Sequence, residues 1–437
     1  MPNKPIFAFQ KSEEEYFMLF RELFKDDAFA VMKIRNVRHF LSYRFIMTAA
    51  TLMQSVVVSW QVYSLTKSVL WLGLIGLVEV VPQVSIALFA GHFADIWDRK
   101  KIIKYTTFLL LLGSAILMMF SIPSFQFYAL FGIFPVFITI FITGLVRGIM
   151  MPAHTAFLGQ LVSREQLTNA ATWSSMNWQI AAVTGPAIGG LVYGFAGIVP
   201  AYAVVFALYG ISIVFISKVK SAQTIPVVSG NDDIFTSIHD GIKYVFNNQI
   251  LLGAFSLDMF AVLFGGAVAL LPAFASDILK VGPQGLGLLR AAPAIGAIAM
   301  SVYLIYNPPL KRTGHYLLYA VAGFGVCMIL FAISRNFYFS VAILILSGVF
   351  DNLSVIIRGS ILQIFTPDEM RGRVAAVNSI FIGSSNELGA FESGVTAKLM
   401  GTVPSVVFGG IMTLLVVAVA ALRAPVLRKL SLKESIK

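Results

Sequence analysis

An all-α membrane protein of twelve transmembrane helices in two six-helix bundles is the fold class this sequence predicts, and three observations predict it. Of its 437 residues 58% are hydrophobic and only 12% are charged, with a mean hydropathy of +0.83. A soluble chain carries about a quarter charged residues. The apolar residues fall into twelve runs, each long enough for the roughly 20 residues that a spanning helix needs. A repeat at an offset of 204 then relates the two halves: Gly144-Leu145-Val146-Arg147 lies on Gly348-Val349-Phe350-Asp351, Glu165 on Glu369, Gly185 on Gly389 and Gly190 on Gly394. Both copies read as a helix, a short charged turn and a helix with glycines near its outer end, a parallel repeat about an axis along the membrane normal.

The elements follow in order. Residues 1–37 form an arm without a cleavable signal pattern. Within it Ser12 and Glu15 read as a capping box, and Phe17, Phe20 and Phe24 share one helical face. This predicts an amphipathic helix on the cytoplasmic membrane surface, an anchor or a regulatory arm. The first six spans are expected near 38–64, 69–94, 102–121, 128–160 (interrupted by Pro152), from Arg164-Glu165 to 193, and 197–217. The second six are expected near 249–274, 283–306, 314–334, 337–363, 371–397 and 402–424. The domains are therefore an N-terminal bundle over 38–218, a cytoplasmic interdomain loop over 219–247, a C-terminal bundle over 248–426 and a cytoplasmic tail over 427–437.

Charge sets orientation. One side collects Arg35, Arg38, Arg99 to Lys101, Lys104, Arg164, Lys218, Lys220, Lys243, Lys311, Arg312, Arg371, Arg373, Arg428 and Lys429. The other collects little beyond Lys67, Lys280, Arg335 and Lys398. Basic loops stay cytoplasmic, so both termini are expected there. The net charge of +11 is accounted for by these loops, and no nucleic-acid partner is expected. Cys327 is the sole cysteine, so neither an internal disulfide nor a cysteine metal cluster is available. The G-x-x-x-x-G-K-[ST] pattern of an ATP-binding loop does not occur. No metal site and no cofactor are expected, and no His or Asp constellation points to an enzyme. The glycines of 185–190 read as close helix packing, not as a phosphate cradle.

One stretch organises the chain: Gly91-His92-Phe93-Ala94-Asp95-Ile96-Trp97-Asp98-Arg99-Lys100-Lys101-Ile102. It ends one apolar run with an acid and opens the next with three bases. It resembles the signature of the major facilitator superfamily between the second and third helices, with Gly91, Ala94, Asp95, Arg99 and Lys100 matching and Asp98 standing where that family usually has glycine. The resemblance covers about 36–425. Leu167-Thr168-Asn169-Ala170-Ala171, Thr184-Gly185-Pro186-Ala187-Ile188-Gly189-Gly190 and Thr366-Pro367-Asp368-Glu369-Met370-Arg371-Gly372-Arg373-Val374 are similar to the bacterial branch of enterobactin exporters and macrolide-efflux-like proteins. It implies a monomeric secondary transporter in a bacterial cytoplasmic membrane, working by alternating access in exchange for protons. The implied substrate is an amphipathic small molecule, a siderophore or a drug. It also implies a conformational latch at Gly91, Asp95, Arg99 and Lys100.

Charges within spans mark functional positions by default, because a charge near the bilayer centre costs roughly 2.5–3.5 kcal/mol. Glu79, Arg147, Asp258, Arg290, Asp351 and Glu387 are the candidates, with Asn177 as a polar neighbour of Trp173, Met176 and Trp178. Glu79 is a candidate carrier of the coupling proton. Arg147 has two open readings: a switch that releases a carboxylate on protonation, or a permanent bridge between helices. For Asp258 a cavity role is expected. Glu387 reads as a cavity wall or a helix-pair hydrogen bond, and His154 as a pathway residue or a packing residue. Lipid or lysolipid transport, import, and a sensor that has lost transport are the alternative functions.

Overall fold

The structure, a computed structural model, describes residues 29–125, 130–220 and 234–435, with the side chains of 87–96, 125, 164, 168, 234–239, several within 368–380, and 434–435 outside that description. The amphipathic helix expected in the arm lies outside the described residues. Twelve long helices dominate. They are α1 (Arg35–Thr66), α2 (Val69–Ile96), α3 (Arg99–Phe120), α4 (Phe134–Leu161), α5 (Leu167–Ala196), α6 (Ile198–Lys218), α7 (Gln249–Phe264), α8 (Gly282–Tyr306), α9 (Thr313–Ile333), α10 (Phe337–Phe365), α11 (Asp368–Met400) and α12 (Thr402–Arg423). Among the described residues eleven spans are long and apolar enough to cross a membrane; α11, which carries Glu387 and Glu392, is the twelfth long helix. Most expected boundaries hold within a few residues because charged or glycine turns punctuate the apolar runs; the helix of the fourth span, expected from about 128, begins only at Phe134, after the left-handed Gly132.

The seventh expected span is present, over Gln249–Ile278, but it is not one continuous helix. α7 stops at Phe264, and the span passes through Gly265 and Gly266 into a 3-10 turn at Ala267–Leu270 and closes with a π turn at Phe274–Ile278. Two successive glycines and Pro272 lower helix propensity there. The offset repeat holds in space: shifting Phe134–Leu161 by 204 residues lands on 338–365, against the observed Phe337–Phe365.

Most of each half's core is its own, with Val56 of α1 packed into the second half's cluster and Ala273 into the first's. In the first, α1 packs on α5 and α6, α4 on α2 and α3, and α3 on α6. Polar residues buried among them pair with one another. Tyr43 hydrogen-bonds with Thr107 Oγ1 at 3.0 Å and His154 Nε2 at 2.9 Å, and Tyr202 donates to Gln61 at 2.5 Å. His154 is buried in this network and packs edge-on to Phe40, so of its two readings the packing one describes its surroundings. In the second half, α10 packs on α8 and α9, α7 on α11 and α12, and α9 on α12. Between the halves the long contacts are α2 with α11 and α5 with α8.

Those crossings lie toward the end of the molecule that carries the Lys67, Gly197, Lys280 and Gly401 turns. At the second, a Cβ on Gly190 would stand 2.7 Å from Gly287 Cα and 2.5 Å from Pro283 O. Only glycine allows backbones this close. At the same end Tyr63 on α1 donates to Asp277, and Lys67 Nζ reaches Ser276 Oγ at 3.5 Å. Gly190→Val is therefore expected to part the halves there. Overpacking costs about 1–3 kcal/mol, so maleimide labelling of a Gln284→Cys thiol, in a Cys327→Ser background, should quicken at least about fivefold. An unchanged rate would mean that this crossing does not hold that end closed.

The loop expected over 219–247 contains a helix, Ile234–Asn247. Its apolar residues Ile234, Ile238, Ile242 and Val245 recur at helical spacing. It is tied to the second half: Tyr244 donates to Phe365 O at 2.9 Å, and Arg373 pairs with Asp240 at 3.2 Å.

Candidate functional site

Small residues bring the central charges together. Gly144 and Gly148 flank Arg147 on α4. A Cβ on Gly144 would stand 2.9 Å from Pro82 Cγ, and one on Gly148 2.7 Å from Gln83 O, so α4 lies directly against α2 beside Glu79. Glu79 is ten residues into α2, about 15 Å along it, which is midway through a hydrocarbon layer of about 30 Å. Arg147 Nη1 pairs with Glu79 Oε1 and lies 3.4 Å from Glu387 Oε1, which reaches across from α11. Arg290, on α8, donates from Nη1 to Ser55 Oγ of α1 at 3.2 Å, and its buried Nε has no hydrogen-bond partner among the described residues. It lies within electrostatic reach of both Glu387 and Glu79.

The result is a constellation of two carboxylates and two guanidiniums, with one charge of each sign from each half. Glu79 and Glu387 keep 16% and 19% of their side-chain exposure and Arg147 keeps 42%. The three side chains are therefore only partly enclosed by the surrounding helices.

Asp258 and Asp351 do not join it. Asp258 on α7 pairs with Arg358 on α10, and the two side chains are 7% and 6% exposed. Asp351, one half's counterpart of Arg147 in the repeat, lines a small cavity with Asp258, Phe324, Phe350 and Ser354. The repeat thus keeps a charged cluster in each half but fills it differently. Asn177 donates to Leu41 O at 3.0 Å and so ties α5 to α1.

Two charged residues within spans were missed by sequence reasoning. Arg358 follows Asp351 by seven residues, two helical turns on the same face, and that spacing was the available signal. Arg44 in α1 donates from Nη1 to Ser174 Oγ, a pairing that no spacing along the chain announces.

The family model described as transmembrane secretion effector matches residues 27–435. The chain belongs to that family, within the major facilitator superfamily. Among curated relatives, the enterobactin exporter EntS of Shigella dysenteriae serotype 1 is 24% identical over 376 residues, 85% of this chain and 88% of that protein. EntS of Escherichia coli O1:K1 is 23% identical over the same shares. Among solved structures, a POT family transporter in complex with 5-aminolevulinic acid superposes with a TM-score of 0.71 at 10% identity, over 90% of this chain and 96% of that one. A bacterial homolog of the human lysosomal transporter Spinster, in an inward-facing, unoccupied conformation, gives 0.66 at 11% identity over 92% and 97%. The chain is a multi-pass membrane transporter and not an enzyme.

In the signature loop, Gly91 and Asp95 lie on the last turns of α2, with their side chains outside the description. Asp98, which departs from the superfamily's glycine, caps α3: its carboxylate accepts from Lys100 N at 2.9 Å and Lys101 N at 3.3 Å. Arg99 opens α3, and Lys100 Nζ donates to Ser217 O at 3.2 Å and Val219 O at 2.6 Å, at the carbonyl end of α6. In this conformation Lys100 thus holds its own half together. Asp98→Ala is expected to cost about 1 kcal/mol and Asp98→Gly only a few tenths. Thermal melting of the full chain in detergent should then rank wild type, Asp98→Gly and Asp98→Ala in falling order.

Proposed function

We propose that this chain is a secondary active exporter that moves an amphipathic small molecule out of a bacterial cell in exchange for protons, by alternating access between its two bundles. The observation that carries the reading is Arg147 held between a carboxylate of one bundle and a carboxylate of the other. A proton on Glu387 weakens the attraction across the bundle interface, and its departure restores it. The protonation state thereby biases which arrangement of the halves is preferred, as coupling requires. The Arg290 guanidinium, with an Nη1–H on Ser55 and an Nε–H that has no partner among the described residues, offers a donor set for an acidic or hydroxylated group on the solute. Exposed Met176 and Trp178 on α5 supply apolar surface for a flat body. The named activity of the EntS relatives supports a siderophore-like solute. The signature loop, with Gly91, Asp95, Arg99 and Lys100, is the proposed latch, and both termini are proposed to be cytoplasmic.

The test uses purified protein in liposomes with a pH-sensitive dye inside and a panel of siderophores and cationic drugs outside. A compound-dependent pH change that disappears in Glu79→Gln and in Glu387→Gln supports exchange. Labelled solute that moves with no pH change would sink the proton-coupled reading. Movement of a fluorescent lysolipid alone would redirect it to lipid transport.

A further inference from the structure

Away from the central charges, the turn between α8 and α9 keeps its bases, Lys311 and Arg312, although nothing else of the signature loop survives there. The structure shows what stands opposite them. The C-terminal tail folds back onto this turn: Gly314 N donates to Leu430 O at 3.1 Å, Lys433 N to Leu310 O at 3.1 Å and Leu432 N to Thr313 Oγ1 at 3.3 Å. Leu427, Leu430 and Leu432 are buried beneath it. A fixed tail of this kind brings Lys429 and Lys433 to the turn. Together Lys311, Arg312, His315, Lys429, Ser431 and Lys433 line an open cleft of about 420 Å³. Four permanent cations therefore converge on a space framed by two main-chain bonds and one main-chain bond to the buried Thr313 hydroxyl. The Nδ1 atom of His315 is buried and has no hydrogen-bond partner among the described residues. Arg312 holds a left-handed φ of +53°, an uncommon conformation for a residue with a side chain.

The surroundings say what the anion is attached to. Tyr303 and Tyr306 near the end of α8, and Tyr316 and Tyr319 at the start of α9, are all exposed. Tyrosines gather where headgroups meet the hydrocarbon layer. The Tyr319 ring lies 6.4 Å from that of His315, so the cleft opens beside this aromatic belt. Basic pockets at that depth take lipid phosphates.

We propose that this cleft binds the phosphate of an anionic phospholipid, with the acyl chains lying along the Tyr316 and Tyr319 face of α9. The site is separate from the central charges and does not depend on what the protein exports. Native mass spectrometry of the full chain in detergent tests it, with phosphatidylglycerol, phosphatidylcholine and inorganic phosphate as probes. Phosphatidylglycerol is expected to bind more tightly than phosphatidylcholine. Lys429→Ala and Lys433→Ala should each weaken phosphatidylglycerol about fivefold, the effect of one surface base, and leave phosphatidylcholine unchanged. Lys429→Arg with Lys433→Arg should retain binding and so separate charge from folding. Equal binding of the two lipids, or alanine variants that bind as wild type does, would overturn the site. Inorganic phosphate bound without any preference between the lipids would overturn the lipid assignment.

Discussion

Arg147→Met is expected to abolish coupled transport and to lower stability by roughly 2 kcal/mol. Removing one partner of a fully buried ion pair costs about 3–5 kcal/mol, because the other charge is left without compensation. Arg147 retains 42% of its side-chain exposure, so solvent screens part of that cost and the lower figure follows. Transport suffers more, because Glu79 and Glu387 then repel one another across the bundle interface with no cation between them. Adding Glu79→Gln to Arg147→Met should return most of the stability and none of the compound-dependent pH change. Melting in detergent and the liposome assay read the two effects separately. Recovery of both by the double variant would show that the pair is a bridge and not part of coupling.

Arg358→Leu has the larger expected effect on folding, about 3–5 kcal/mol, since Arg358 and Asp258 are 6% and 7% exposed and little water is available to rescue the stranded carboxylate. Replacing both, as Asp258→Leu with Arg358→Met, should restore most of the stability, because an apolar pair of similar volume escapes the desolvation cost altogether. That double variant should still exchange protons for solute. If it melts as wild type does but gives no pH change, Asp258 belongs to the coupling machinery after all.

These contrasts mark where the sequence was informative. Depth in the membrane can be read from one chain: Glu79, Arg147, Arg290 and Glu387 were all identifiable by their distance from charged turns. Azimuth around each helix cannot, and neither can the partner across an interface. Glu79 and Glu387 are 308 residues apart and meet only because α2 crosses α11. For the same reason Asp258 stood out as an isolated acid until α10 supplied Arg358. The break in α7 was visible as Gly265-Gly266, but two glycines in an apolar run read equally well as a packing surface, which α11 in fact uses against Gly266. The helix at Ile234–Asn247 was hidden by its mixed polarity, although its spacing was periodic.

Lys100 grips the Val219 carbonyl, Asn36 Nδ2 donates to Lys220 O at 3.1 Å, and the helix from Ile234 is fastened to Arg373. The strap between the bundles is thus moored at both ends, beside the base-rich turn of each half. Between the moorings run fourteen Cα steps, from Lys220 to Ile234. Their contour length is at most roughly 46–50 Å, longer than the bilayer's hydrocarbon is thick. Covalent reach alone therefore bounds how far the moorings can part, and the contacts that hold the two halves together here are the glycine crossings.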